Sequence, residues 1–102
     1  MRQELTTGAR LKSAACTTEV VVVKAPTGAV DLRCGGAGMA PDAVAGAEAL
    51  DPAQAEGTLL GKRYSDDESA LELLAVKAGD GSLSINGRPL GLKGVKPLPA
   101  SD

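Results

Sequence analysis

Apolar residues fall in short runs along this chain, and most runs stop at a glycine or a proline. The clearest is Glu19-Val20-Val21-Val22-Val23-Lys24, four β-branched residues between two charges. Such a run suits a pleated surface and predicts a strand buried on both faces or paired across an interface. Pro26, Thr27 and Gly28 break it as a turn, and a short strand is expected over 29–33, so the two should form a hairpin. Cys34-Gly35-Gly36 then ends that strand in a tight, permissive turn. Strand character returns over 58–64 and 70–77, followed by a turn at Gly79-Asp80-Gly81 and a strand over 82–85. Asn86-Gly87 is a strong hairpin signal, so residues 88–92 should pair back. The tail contains Pro97 and Pro99 and should run extended and edge-like or loose.

The pattern lapses from about Gly38 to Gly57, where alanines dominate, aliphatics are few and two prolines occur. This stretch reads as a linker, within which Asp51-Pro52 could cap one helical turn. The expected organisation is a first β unit over 1–38, an alanine-rich linker over 39–57, a second β unit over 58–93 and a tail over 94–102.

The two units look alike. Gly8, Arg10, Glu19, Val23, Lys24, Ala25 and Gly28 recur as Gly61, Arg63, Glu72, Val76, Lys77, Ala78 and Gly81, all at one common offset. Chance alone gives roughly one or two such matches. After a two-residue shortening in the second unit, Leu32, Gly36 and Met39 fall on Leu83, Gly87 and Leu90. Matched glycines and charges outside the apolar pattern are not required of a generic hairpin, which favours an internal repeat.

Composition makes any core thin. Val, Leu and Ile total only 22 of the 102 residues, and Tyr64 is the single aromatic. Small units already bury a low fraction of their surface, so one half alone would be marginal, and fusion, dimerisation, a metal or a partner would help. Eleven Lys and Arg against thirteen Asp and Glu leave no basic excess, and one ring makes no stacking platform, so nucleic acid is not an expected partner. No apolar stretch is long enough to span a membrane. Residues 1–5 lack the apolar core of a secretory signal, so the expected location is the cytoplasm, where two cysteines are more often free, metal-bound or redox-active than permanently bridged.

With the unit isolated, Leu11-Lys12-Ser13-Ala14-Ala15-Cys16, the valine run and Leu32-Arg33-Cys34-Gly35-Gly36-Ala37-Gly38-Met39 together resemble the desulforedoxin family. The same rubredoxin-like unit forms the N-terminal domain of desulfoferrodoxin. The resemblance covers residues 8–39, and more faintly 61–90. It implies an all-β fold of short hairpins around one iron or zinc, with free-standing members forming homodimers. The chain would then be two small desulforedoxin-like β-hairpin units packed as a pseudo-dimer.

The departures bear on function. Cys16 and Cys34 stand at the family's second and third ligand positions, while Ser13 and Gly35 stand at its first and fourth. In the second unit the four positions are Asp66, Ser69, Ile85 and Asn86. A tetrahedral thiolate site needs four good ligands, and the chain has no histidine to fill the gaps. Two ligands of such a site have sulfurs roughly 3.7 Å apart, a separation that needs only a modest shift to form a disulfide. Cys16 and Cys34 are therefore expected as neighbours, either oxidised to a disulfide or reduced and weakly metal-binding. The alternative is two unrelated small core residues or free thiols.

Other candidate chemistry is thinner. Residues 57–63 are similar to a phosphate-binding loop, but the spacing is short by one and Arg63 stands where Ser or Thr should bind magnesium. Asp66-Asp67-Glu68 lacks the spacing of a calcium loop and fits a solvated turn. Arg10 and Arg63 recur with Glu19 and Glu72, which points to structural charge pairing. The leading expectation is a non-catalytic accessory or interaction protein that binds or stabilises a partner enzyme or assembly, or pairs as a homodimer, through exposed strand edges. The rival is a small redox or metal-binding protein using Cys16 and Cys34. No cofactor is expected, and iron or zinc is the metal the resemblance allows.

Overall fold

Alternation between inward and outward side chains organises the chain into strands. The computed structural model describes residues 2–92, and the fold is all-β. Its strands are β1 (Arg10–Ser13), β2 (Glu19–Lys24), β3 (Leu32–Cys34), β4 (Ala37–Ala40), β5 (Arg63–Asp66), β6 (Leu71–Lys77), β7 (Leu83–Ile85), β8 (Arg88–Pro89) and β9 (Gly91–Leu92). All neighbours pair antiparallel, in the order β8-β7-β3-β4-β1-β2-β6-β5-β9. The two ends of that order, β8 and β9, are separated in the chain only by Leu90, so the sheet nearly closes on itself. Near-closure lets a small aliphatic set fill one interior from all sides. Leu11, Val20, Val22, Val30, Leu32, Leu71, Leu73 and Ile85 form that interior, with Tyr64 beside them. The Tyr64 hydroxyl is satisfied by the Leu59 amide, which donates to it at 2.9 Å.

The valine run is a strand, but it alternates: Val20 and Val22 point inward, while Val21 and Val23 are half-buried. It does not form a hairpin with residues 29–33. Both of its edges are taken, one by β1 and the other by the seven-residue β6, whose apolar face is the longest available. β3 pairs instead with β4 and β7. The β2–β6 register runs Glu19↔Lys77, Val20↔Ala75, Val21↔Leu74, Val22↔Leu73 and Lys24↔Glu72. The β3–β7 register runs Leu32↔Ile85, Arg33↔Ser84 and Cys34↔Leu83.

Two further expectations are corrected. The strand expected from residue 58 begins at Arg63; Thr58 makes only an isolated bridge to Gly79, and the chain then bends at Gly61, whose φ of 79° suits glycine. Residues 39 and 40, where the alanine-rich linker was expected to begin, belong to β4, held by β1 on one side and β3 on the other. Asp51 does cap a turn, a 3-10 helix over Pro52–Gln54, with its carboxylate accepting from the Ala53 amide at 3.0 Å. Asn86-Gly87 closes the β7–β8 hairpin, both residues at positive φ as a type I′ turn requires. The extended tail expected over 94–102 lies outside the described residues.

Candidate functional site

Cys16 and Cys34 meet where three loops converge. Cys16 sits in the connection from β1 to β2, which the Ser13 amide closes by donating to Thr18 O at 3.0 Å. Cys34 ends β3 and is completely buried. The two sulfurs are 3.7 Å apart and unbonded, matching the expected separation. The third loop is Gly79-Asp80-Gly81, whose Gly81 amide donates to Cys16 Sγ at 3.3 Å across 65 positions of sequence. Only glycine lets this loop come so close: a Cβ on Gly81 would lie 2.7 Å from Gly35 Cα and 3.1 Å from Cys16 Sγ. Thr58 holds the loop from behind, its hydroxyl donating to Gly81 O at 2.7 Å.

These surroundings separate the two thiols electrostatically. Burial alone raises the Cys16 thiol, but hydrogen bonding of its sulfur with the Thr18 hydroxyl and amide, the Ser13 hydroxyl and the Gly81 amide outweighs it. The result is a pKa lowered from 9.0 to about 7. The Thr18 hydroxyl oxygen stands 3.2 Å from that sulfur. Burial pushes Cys34 up to about 11, and the adjacent Cys16 charge adds to the rise. Near neutral pH, therefore, the partly exposed Cys16 is about half ionised, whereas the buried Cys34 stays a thiol. A low-pKa thiolate attacks disulfides and electrophiles, and a neighbouring thiol can resolve the product.

The four-ligand metal site implied by the resemblance does not fit the residues present. The 3.7 Å sulfur separation suits one edge of a tetrahedral thiolate site. Ser13, however, is committed elsewhere: its hydroxyl donates to Cys34 O at 3.2 Å and accepts from the Ala15 and Cys16 amides. At Gly35 a Cβ would lie 2.6 Å from Leu50 Cδ1, so an apolar side chain occupies the fourth direction. No group of three or more Cys, Asp or Glu able to hold a metal occurs among the described residues.

Of the four positions that the resemblance assigned within residues 58–93, Asp66 and Ser69 are together, but as a hydrogen-bonded knot. Asp66 Oδ2 accepts from the Ser69 amide at 3.0 Å, the Ser69 hydroxyl at 2.7 Å and Arg88 Nη2 at 2.8 Å. The bond from the Arg88 guanidinium leads in holding the Asp66 carboxyl below its ordinary value. Ile85 is buried in the core, and the Asn86 side chain accepts from the Asp31 amide at 2.8 Å. The expected arginine pairings are half met. Arg63 reaches Glu72 at 3.8 Å, whereas Glu19 binds Lys77 of β6 at 3.3 Å, because the β2–β6 register sets those two directly opposite.

Thr18, Thr58, Gly79 and Gly81 are site residues that sequence reasoning missed. Their only local signal is the Cys-Thr-Thr triplet at 16–18, two polar residues beside a thiol. The alanine-rich segment also contributes, since Val44 and Ala45 line the cleft over Cys16. A wider cleft lined by Arg33, Asp51, Gln54 and Glu56 includes neither sulfur. Comparison of the chain with family models, with curated proteins and with solved structures finds no match in any of the three.

Proposed function

We propose that this chain is a small, non-enzymatic dithiol protein in which Cys16 attacks a disulfide and Cys34 resolves the resulting adduct. The observation that carries this reading is the 3.7 Å sulfur pair, one member facing a cleft and the other wholly buried. A reducing compartment, the cytoplasm, suits a protein that works through free thiols. The scaffold reads as two diverged desulforedoxin-like units in pseudo-dimeric packing. Its support is the register, since Glu19↔Lys77 and Lys24↔Glu72 sit symmetrically about Val21↔Leu74. On this reading the Asp66–Ser69–Arg88 knot replaces the second unit's metal site.

The reduced protein should titrate as two thiols. Excess 2-hydroxyethyl disulfide should convert it to a monomer lighter by two hydrogens, with Cys16 joined to Cys34. Separate adducts on each cysteine, or only intermolecular dimers, would overturn the reading. Stoichiometric zinc or iron lost in Cys16→Ser would restore the metal alternative.

A second reading, an interaction protein that binds a protein partner or a second copy of itself, is favoured by one observation. Leu59 and Leu60 are adjacent and 55% and 63% exposed. Sedimentation should then detect concentration-dependent association that Leu59→Ser with Leu60→Ser abolishes, and a monomer at all concentrations would remove the homodimer form of this reading.

A further inference from the structure

The cleft onto Cys16 is small and charged in a particular way. Its volume is about 250 Å³, below the roughly 300–1,000 Å³ of pockets for drug-sized ligands. Its lining includes Lys12 from β1, Glu19 from β2, Lys77 from β6 and Val44 from the loop after β4. Lys77 and Glu19 form an ion pair at 3.3 Å, so the wall carries two cations against one anion. Val44, 68% exposed, supplies an apolar rim. A small molecule entering here meets both the Cys16 side chain and Lys12, which line the same cleft.

We propose that this cleft receives one half of a small organic disulfide that carries a carboxylate, with Lys12 drawing the carboxylate and Cys16 meeting the sulfur. The assignment rests on the dithiol reading and names its co-reactant. The Cys16 thiolate attacks one sulfur of the disulfide R–S–S–R. A bond from Cys16 to that sulfur forms, the R–S–S–R bond breaks, and R–S⁻ leaves and takes up a proton from solvent. Cys34 then loses its proton and attacks Cys16 Sγ; the Cys16–Cys34 bond forms and a second R–S⁻ leaves. Two protein thiols are oxidised, one external disulfide is reduced to two thiols, and the two protons lost by the protein balance those gained.

The test uses three probes of similar size: dithiodiglycolate (anionic), 2-hydroxyethyl disulfide (neutral) and cystamine (cationic). In a Cys34→Ser variant, which traps the mixed disulfide on Cys16, adduct formation is followed by mass spectrometry at pH 7 and low salt. Each rate is divided by that probe's rate with a small neutral thiol. The anionic probe should then exceed the neutral one by about three- to fivefold, the rate ratio that an exposed ion pair supports, and the cationic probe should be slowest. Lys12→Gln should bring the anionic-to-neutral ratio to about one, Lys12→Arg should retain it, and 1 M salt should suppress it. If the neutral probe closes the Cys16–Cys34 bond in the native protein but the anionic probe has no advantage, or keeps one in Lys12→Gln, this inference falls and the dithiol reading stands. If no probe closes that bond, both fall.

Discussion

At Cys16 a thiolate is stabilised by donors that also hold the loops together, so its titration reports on their geometry. The unfolded thiol keeps its ordinary 9.0, whereas the folded one lies at about 7. Folding therefore favours the thiolate; this stabilisation is complete above pH 9 and is lost as the pH falls through about 7. Cys34 acts in the opposite sense, stabilising below 9.0 and losing its contribution as the pH rises through about 11. Urea unfolding of the reduced protein should show stability climbing from pH 7 to 9 and declining from 9 to 11. Cys16→Ser should remove the climb. Alkylation at Cys16 should have its midpoint near pH 7, and Gly81→Ala should move that midpoint toward 9 by pushing the amide off the sulfur. Ala70 offers a separate test. It is a non-glycine residue at φ 64°, in the left-handed region where a Cβ is strained. Ala70→Gly should stabilise by roughly 0.5–1 kcal/mol in the same assay, and a loss of stability would show that the turn prefers the Cβ.

Strands in this fold are specified by their neighbours as much as by their own residues. β2 and β6 were legible because charges bracket apolar runs, and the β7–β8 hairpin because Asn-Gly demands one turn type. β4 was not: Ala-Gly-Met-Ala has neither strand propensity nor a full alternation, and it extends because β1 and β3 bond to it from both sides. The predicted hairpin of β2 with residues 29–33 failed for a related reason, since adjacency in sequence says nothing about a better partner 50 positions on. Likewise Cys16 and Cys34 could be placed side by side through the ligand positions that the resemblance assigns them. The Gly81 amide that tunes Cys16 could not, because no local spacing announces a contact across 65 positions. The register makes a direct prediction. Leu73 faces the core opposite Val22 and Tyr64, whereas its neighbour Leu74 is half-buried on the outer face. Leu73→Ala should cost about 2–5 kcal/mol, and Leu74→Ala under about 1.5 kcal/mol. Equal losses in denaturant midpoints would indicate a shifted register.

For the molecule as a whole, the redox state of the sulfur pair and the stability of the fold are linked. Cys16 and Cys34 are 18 positions apart, and closing a loop of that size in the unfolded chain is worth about 3 kcal/mol to the folded state. Two effects oppose it. The sulfurs must close from 3.7 Å to about 2.05 Å, and the Thr18 and Gly81 donors lose a charged acceptor for a neutral one. Taking the first as negligible and the second as about 1–2 kcal/mol leaves the oxidised protein more stable than the reduced one by about 1–2 kcal/mol. The thermodynamic cycle then requires the native dithiol to be more reducing than the same pair in the unfolded chain, by about 20–45 mV. Guanidinium midpoints of the two forms at pH 7 give the first quantity. Equilibration with a dithiothreitol couple, with and without denaturant, gives the second independently. If the oxidised form unfolds first, the native backbone resists bringing the sulfurs together. Their 3.7 Å approach would then be a packing arrangement and not a poised bond.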